Sequence, residues 1–440
     1  MKVKHNKISK VSRRDFLKTS AAVSVAAMTA GSHSIYAAGN EELKVALIGC
    51  GGRGKGALKD YHNAAKMIGP SVKVIAIADV QKDRAEAVAK QYNVPSEHVF
   101  TTFDGYKKVL ATDAEYVLIA TSPNFRPVHF EAAVRANKHV FMEKPAAVDP
   151  PGIRRIIAAG EIAKRKGLGV VAGTQRRHQK PYLETAAAIQ QGAIGRILSA
   201  RVWWCTGQLW YKTKEPGESD ASYMVRNWVS FTEMSGDHII EQHVHNLDVA
   251  NWFIGRTPTQ ALGFGGRARR KTGNQFDFFS IDYDYGDGVT VHSMCRQING
   301  TYRRVSEFFT GTNGTTWGEG NTEQINKKSV TIPEFTDGNP KVIEHFDMIN
   351  SIRDGRPLNE ARSVAEATMT AIMGRVAAYT GQIIRWSDLM TRPESPYYDL
   401  TLRPSAEDFE QGPVTAPPDD VVAVPGEEKG QEKKRRKRKK

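Results

Sequence analysis

The chain has 440 residues, of which 40% are hydrophobic and 25% charged, and its formal net charge is +14. That length supports two domains, each with its own core, and the even composition excludes a collagen-like or wholly disordered chain. The basic excess sits at the ends, with seven Lys/Arg against one Asp in residues 1–37 and eight basic residues at 433–440, so the neutral body lacks the basic face a nucleic acid requires.

The first feature in chain order is Ser-Arg-Arg-Asp-Phe-Leu-Lys at 12–18, a twin-arginine pattern, followed by an apolar, alanine-rich stretch at 19–30. That stretch is too short to span a bilayer and follows a basic region, so residues 1–38 read as a signal peptide cut near 36–38. An uncleaved anchor is the alternative. The expected location is the periplasm, or another compartment reached by the twin-arginine route, without stable membrane insertion. Three cysteines, Cys50, Cys205 and Cys295, make no disulfide framework, although the last two could pair.

From Leu43 onward, apolar strands at 45–49, 73–79, 116–120, 139–142 and 168–172 alternate with helices at 54–68, 84–91, 127–137 and 152–166. Strands that are apolar throughout imply a parallel sheet covered on both faces, the doubly wound α/β architecture of a Rossmann domain over 43–174. Beyond Gly173 the strands lengthen and alternate, at 196–206, 260–267, 280–285, 289–298 and 303–311. With helices at 181–191, 241–254, 341–354 and 363–380 they predict an α+β domain over 175–400 with a large, mostly antiparallel open sheet. Residues 404–440 are rich in Pro, Glu and Asp before turning basic, and read as a disordered tail with a basic end.

The first strand runs into Gly49, Cys50, Gly51, Gly52, Arg53 and Gly54, a G-x-G-x-x-G turn. Its glycines permit a tight turn, close approach of backbone to a pyrophosphate, and close helix–strand packing. The anion then lies at a helix N-terminus. Asp79 ends the second strand, where a carboxylate accepts from ribose hydroxyls. This favours NAD, while Arg53 and Lys55 leave NADP possible. Ligands bind beyond the carboxyl ends of such strands, so Thr121, Pro123, Asn124 and His129 after the third strand, and Glu143 and Lys144 after the fourth, belong beside a nicotinamide. A lysine there can orient, or exchange a proton with, a hydroxyl undergoing oxidation. A surface ion pair between Glu143 and Lys144 is the plainer alternative.

On the glycine turn, Thr121-x-Pro123-Asn124 with His129, and Glu143-Lys144-Pro145, the chain resembles the Gfo/Idh/MocA oxidoreductases from about residue 43 to 386. The resemblance implies a second domain whose open sheet shapes the substrate pocket and forms oligomer contacts, giving a dimer or tetramer. It also places Glu241 and His245 on the family's Asp and His. At i and i+4 of one helix the two share a face. His245 then acts as the base that takes the hydroxyl proton, Lys144 assists, and Glu241 orients the imidazole or binds substrate. Glu in place of Asp departs from the pattern. His238, Glu241 and His245 could also bracket a zinc ion, but hydride transfer needs no metal and none is expected.

Gln175 and Arg176 are further cofactor contacts, and Arg226 and Trp228 are substrate contacts. Trp203 and Trp204, adjacent on a strand, face opposite sides of the sheet. The expected activity is an exported NAD(P)-dependent oxidoreduction of a sugar or glycoside hydroxyl with a tightly held cofactor. The alternatives are an NAD-dependent glycosidase working by transient oxidation and elimination, and a non-catalytic protein that retains its cofactor.

Overall fold

The computed structural model describes residues 42–324, 329–419 and 421–425. The signal segment and the basic run at 433–440 lie outside the described residues.

Six strands form the first sheet in the order β3-β2-β1-β4-β5-β6, all pairs parallel. They are β1 (Glu42–Ile48), β2 (Ser71–Ala78), β3 (Val99–Phe100), β4 (Tyr116–Ile119), β5 (His139–Met142) and β6 (Val170–Ala172). The central strands β4 and β1 are buried along nearly their whole length, which is why they read as continuous apolar runs instead of alternating ones. β3 was not foreseen, because two residues carry no periodicity. The strand order reverses between β1 and β4, so the crevice for ligands opens at the carboxyl ends of those two strands.

The second sheet has eight strands in the order β13-β12-β11-β7-β10-β9-β8-β14. They comprise β7 (Ile197–Thr206), β8 (Gln260–Gly266), β9 (Phe278–Asp284), β10 (Thr290–Gln297), β11 (Arg304–Gly311), β12 (Gly314–Trp317), β13 (Gly320–Gln324) and β14 (Ile384–Arg385). All pairs are antiparallel except β7 with β10. Cys205 pairs with Arg296 and Cys295 with Trp204 across that parallel ladder, so the two thiols point to opposite faces; all three cysteines are free and buried.

The helix Ala361–Thr380 is buried on nearly every side. Its Thr368 hydroxyl accepts from the Ala146 amide (3.1 Å), and its Arg375 donates to the carbonyls of Val148 (2.9 Å) and Gly236 (2.8 Å). One rigid rod thus holds both the turn after Lys144 and the segment leading to Glu241.

Two expectations are corrected. The helix expected at 241–254 is two helices, His238–Glu241 and Val244–Ile254. At the break the His243 N–H reaches back five residues to the His238 carbonyl (3.2 Å), and the His243 ring bonds Ser293 on β10 (2.7 Å). That tertiary tie widens the turn and leaves no trace in an apolar pattern. The second correction concerns the tail. Residues 404–419 are ordered and carry the helix Ala406–Gln411, which opens on a capping box formed by Ser405 and Asp408. Phe409 is 3% exposed and packs against Phe103 and Phe125 at 5.1 and 5.3 Å. Composition reported the proline and acidic content of this segment and missed its single aromatic anchor.

Candidate active site

A cavity of about 660 Å³ opens at the carboxyl ends of β1, β2, β4 and β5, and residues from the second half close its other side. The helix Gly52–Ile68 begins at its floor with Gly51 as N-cap, no capping side chain and no acidic residue in its first turn. Its leading amides are therefore left for an anion. Gly49 has φ +99°, and a Cβ there would lie 2.7 Å from the Ala120 carbonyl carbon. A Cβ at Gly54 would lie 1.8 Å from the Gly49 carbonyl oxygen, so this residue sets the close approach of helix to turn. Asp79 lines the cavity and accepts from the amides of Cys50 (2.6 Å) and Gln81 (2.8 Å). Burial pushes its carboxyl above the ordinary range, against those two bonds. Amides without caps, a turn that admits only glycine at positions 49 and 54, and an acidic side chain at the second strand together fit a dinucleotide.

Arg53 lines the cavity beside the turn and pairs with Glu143, with Asp60 (2.9 Å) and with Glu344 (3.3 Å). Glu143 is therefore bound to Arg53 and not to Lys144. The Lys144 ammonium donates to the Glu241 carbonyl and pairs with its carboxylate at 3.2 Å, both side chains being 12% exposed. Burial pushes the Glu241 carboxyl up, but Lys144, a bond from Gln242 and the charge of Arg126 outweigh it and hold the group below its usual range. His245 shares the cavity wall, stacked on Trp204 at 5.7 Å, and its Nδ1 has no hydrogen-bond partner among the described residues. Burial, with the charges of Lys144 and Arg176, holds its pKa well below the ordinary histidine value, so the ring is neutral near pH 7.

Lys144, Glu241 and His245 thus meet in one cavity, although the broken helix brings Glu241 and His245 together and a shared helical face does not. His238 is packed against Phe279 and bonded to Asp237. Among the described residues no three His, Cys, Asp or Glu side chains are arranged to hold a metal.

His129 and Thr121 also line the cavity, 3.3 Å apart at Nδ1 and Oγ1. Burial first, then Arg126 and Arg155, lower the His129 pKa to about 3. Gln175 and Trp228 line it too, and Trp228 meets the half-exposed Trp210 edge-on at 6.3 Å.

Comparison with known proteins gives the family and the fold. Residues 43–174 match the model described as "Oxidoreductase family, NAD-binding Rossmann fold", residues 182–316 match the "GFO/IDH/MocA C-terminal domain", and residues 10–30 match a twin-arginine translocation signal. The chain belongs to the Gfo/Idh/MocA oxidoreductase family. It is 35% identical over 215 residues to an inositol 2-dehydrogenase of Pseudomonas syringae pv. syringae, covering 48% of this chain and 54% of the relative. One from Klebsiella pneumoniae (strain 342) is 29% identical over 215 residues, with the same shares covered. The chain spans about half the length of these curated relatives. In fold it is similar to a levoglucosan dehydrogenase crystallised with NADH and levoglucosan (TM-score 0.63, 17% identity, 78% of this chain and 99% of that one). It is also similar to an aldose–aldose oxidoreductase of Caulobacter crescentus (TM-score 0.59, 16% identity, 78% and 100%).

Within this Gfo/Idh/MocA site, several residues expected from sequence stand elsewhere. Arg176 is 7% exposed and lies behind the wall in an ion pair with Glu307, its guanidinium 5.9 Å from the Trp204 ring. Pro123 and Asn124 are buried in the turn below the cavity, where the Asn124 amide bonds the Met234 carbonyl (3.3 Å). Arg226 lines the cavity, but its guanidinium bonds Glu218 through Nε (2.8 Å) and Nη2 (2.6 Å), and also the Thr213 carbonyl (2.8 Å). It therefore holds the 207–219 loop that carries Trp210.

Sequence reading missed Arg126, which lines the cavity at 4% exposure, donates to the Pro145 carbonyl (2.5 Å) and is lowered to about pKa 10 by burial. Its place between Asn124 and His129 was the available signal. Phe103, Tyr106 and Phe125 on one wall, and Lys341 and Glu344 on a helix far along the chain, carried none.

Proposed function

We propose that this protein is an exported enzyme that oxidises a hydroxyl group of a sugar or sugar derivative, with its NAD held through turnover and NADP the other dinucleotide the turn can take. The observation that carries the reading is the meeting of Lys144 and His245 in the same cavity as the uncapped glycine turn and Asp79. The bound cofactor supplies the nicotinamide that accepts hydride. His245, neutral at pH 7, takes the hydroxyl proton. Lys144, fixed by the carbonyl and carboxylate of Glu241, donates to the same hydroxyl and orients it. Glu241, kept ionised, accepts from a neighbouring hydroxyl, and the Trp210 and Trp228 rings offer apolar faces to sugar C–H groups.

Export supports retention, because little free nicotinamide cofactor is available outside the cytoplasm. Retained cofactor favours a cycle in which a second substrate takes the hydride back. The homo-oligomer is proposed to form through the outer face of the second sheet, where Phe264 is 65% and Leu262 50% exposed; light scattering tests this.

The deciding experiment mixes purified protein with a panel of sugars and glycosides and follows bound-NADH absorbance, with product analysis separating net oxidation from bond cleavage. Lys144→Met should keep its nicotinamide while reduction slows about 10²–10⁴-fold. Unchanged turnover in that variant would refute the mechanism.

A further inference from the structure

We infer that the C-terminal segment 402–419 is a strap that retains the dinucleotide, by tying together the two walls of the cavity from outside. This rests on the dinucleotide reading of the site and adds to it a retaining element that the glycine turn does not supply.

The segment is anchored first to the Rossmann half. The Leu402 amide donates to Asp149 (3.0 Å), Glu407 pairs with Arg155 (2.6 Å), and Glu410 pairs with Lys107. Between these ion pairs Phe409 inserts against Phe103 and Phe125, whose rings lie 5.9 Å apart. Both rings line the cavity near Asp79, and Phe125 stacks in turn on His129 at 5.9 Å. Phe409 therefore backs the aromatic wall and does not itself line the cavity.

The segment then crosses to the second half. The Ala416 amide donates to Asp220 (2.9 Å), and Asp419 accepts from the Tyr223 hydroxyl (2.9 Å) and the Gly273 amide (2.6 Å), while its carbonyl accepts from Arg267 (2.7 Å). Asp220 and Tyr223 belong to the helix Asp220–Arg226, which sends Val225 and Arg226 into the cavity. The same 18-residue segment is thus bonded to both walls. A cleft that must separate its walls to release a long ligand has first to undock this segment, and the undocking cost enters the release rate.

The test compares the full chain, Phe409→Ala, the double variant Glu407→Gln/Glu410→Gln, a chain ending at residue 401 and a control ending at residue 425. Each is loaded with NADH, and release is timed by loss of bound-nucleotide fluorescence on chasing with excess NAD; near-UV circular dichroism and melting check the fold. Phe409→Ala and the chain ending at 401 should release NADH about tenfold faster or more, the double variant should fall between, and the 425 control should match the full chain. Folded Phe409→Ala and double variants that release at the full-chain rate overturn the strap, even if the chain ending at 401 does not fold. A full chain that binds neither NAD nor NADP overturns the dinucleotide reading, and the strap with it.

Discussion

Arg176 offers the sharpest test of the site as drawn, because sequence and structure give it different work. Sequence places it on the cofactor; the structure places it in an ion pair with Glu307, which is 1% exposed. Replacing it with alanine leaves that carboxylate buried without its cation, a change that costs about 3–5 kcal/mol. Tyr182 (3.1 Å) and Asn246 still donate to Glu307, which argues for the lower end of that range.

The sign of the pH dependence follows from burial, which already raises the Glu307 carboxyl against the opposing charge of Arg176. Without Arg176 the folded pKa climbs further above the unfolded one. The folded variant then binds the extra proton, and its stability deficit shrinks as pH falls from 8 to 5. Arg176→Met with Glu307→Gln, which removes both charges and keeps an acceptor for Tyr182 and Asn246, should recover roughly half of the loss or more.

Urea melts of the parent chain and the two variants at two pH values give these numbers, and NADH titration gives affinity, expected to change less than about threefold. A stable Arg176→Ala protein that has lost its affinity for NADH would return this arginine to the cofactor and refute the buried-pair account.

Other predictions concern the turn, the base and the loop. Gly54→Ala places a methyl group 1.8 Å from the Gly49 carbonyl oxygen and should lose NAD binding and about 3 kcal/mol or more of stability, read by titration and melting. Because the folded His245 resists protonation, the acid limb of kcat/KM should lie well below pH 6.5, and a limb at the ordinary histidine value would exclude His245 as the base. Glu218→Gln should loosen the Trp210 loop and raise KM about three- to tenfold with NAD affinity unchanged. Arg226 draws the Glu218 carboxyl down to about 2, so the loop attachment is complete above the unfolded carboxylate pKa and is lost as pH falls toward 2, followed by tryptophan fluorescence.

The sequence by itself determined the parts that are local in the chain. β1 and its glycine turn, Asp79 eight residues after Ser71 opens β2, and Lys144 just beyond β5 are each written in one short stretch, because a strand that ends in a turn specifies its own geometry. Five of the eight strands of the second sheet were legible through alternation along each, while the short β12, β13 and β14 were not foreseen. Only the tertiary structure decided which charges pair across the cavity: Glu143 with Arg53, Lys144 with Glu241 and Arg176 with Glu307, residues 90, 97 and 131 positions apart. It also decided that His245 approaches Lys144 through a break in a helix, and that a proline- and acid-rich C-terminal segment docks through Phe409 and the ion pairs around it. Local pattern cannot encode such choices, since each depends on what burial brings near a charged or aromatic side chain and on the cost of leaving it there alone.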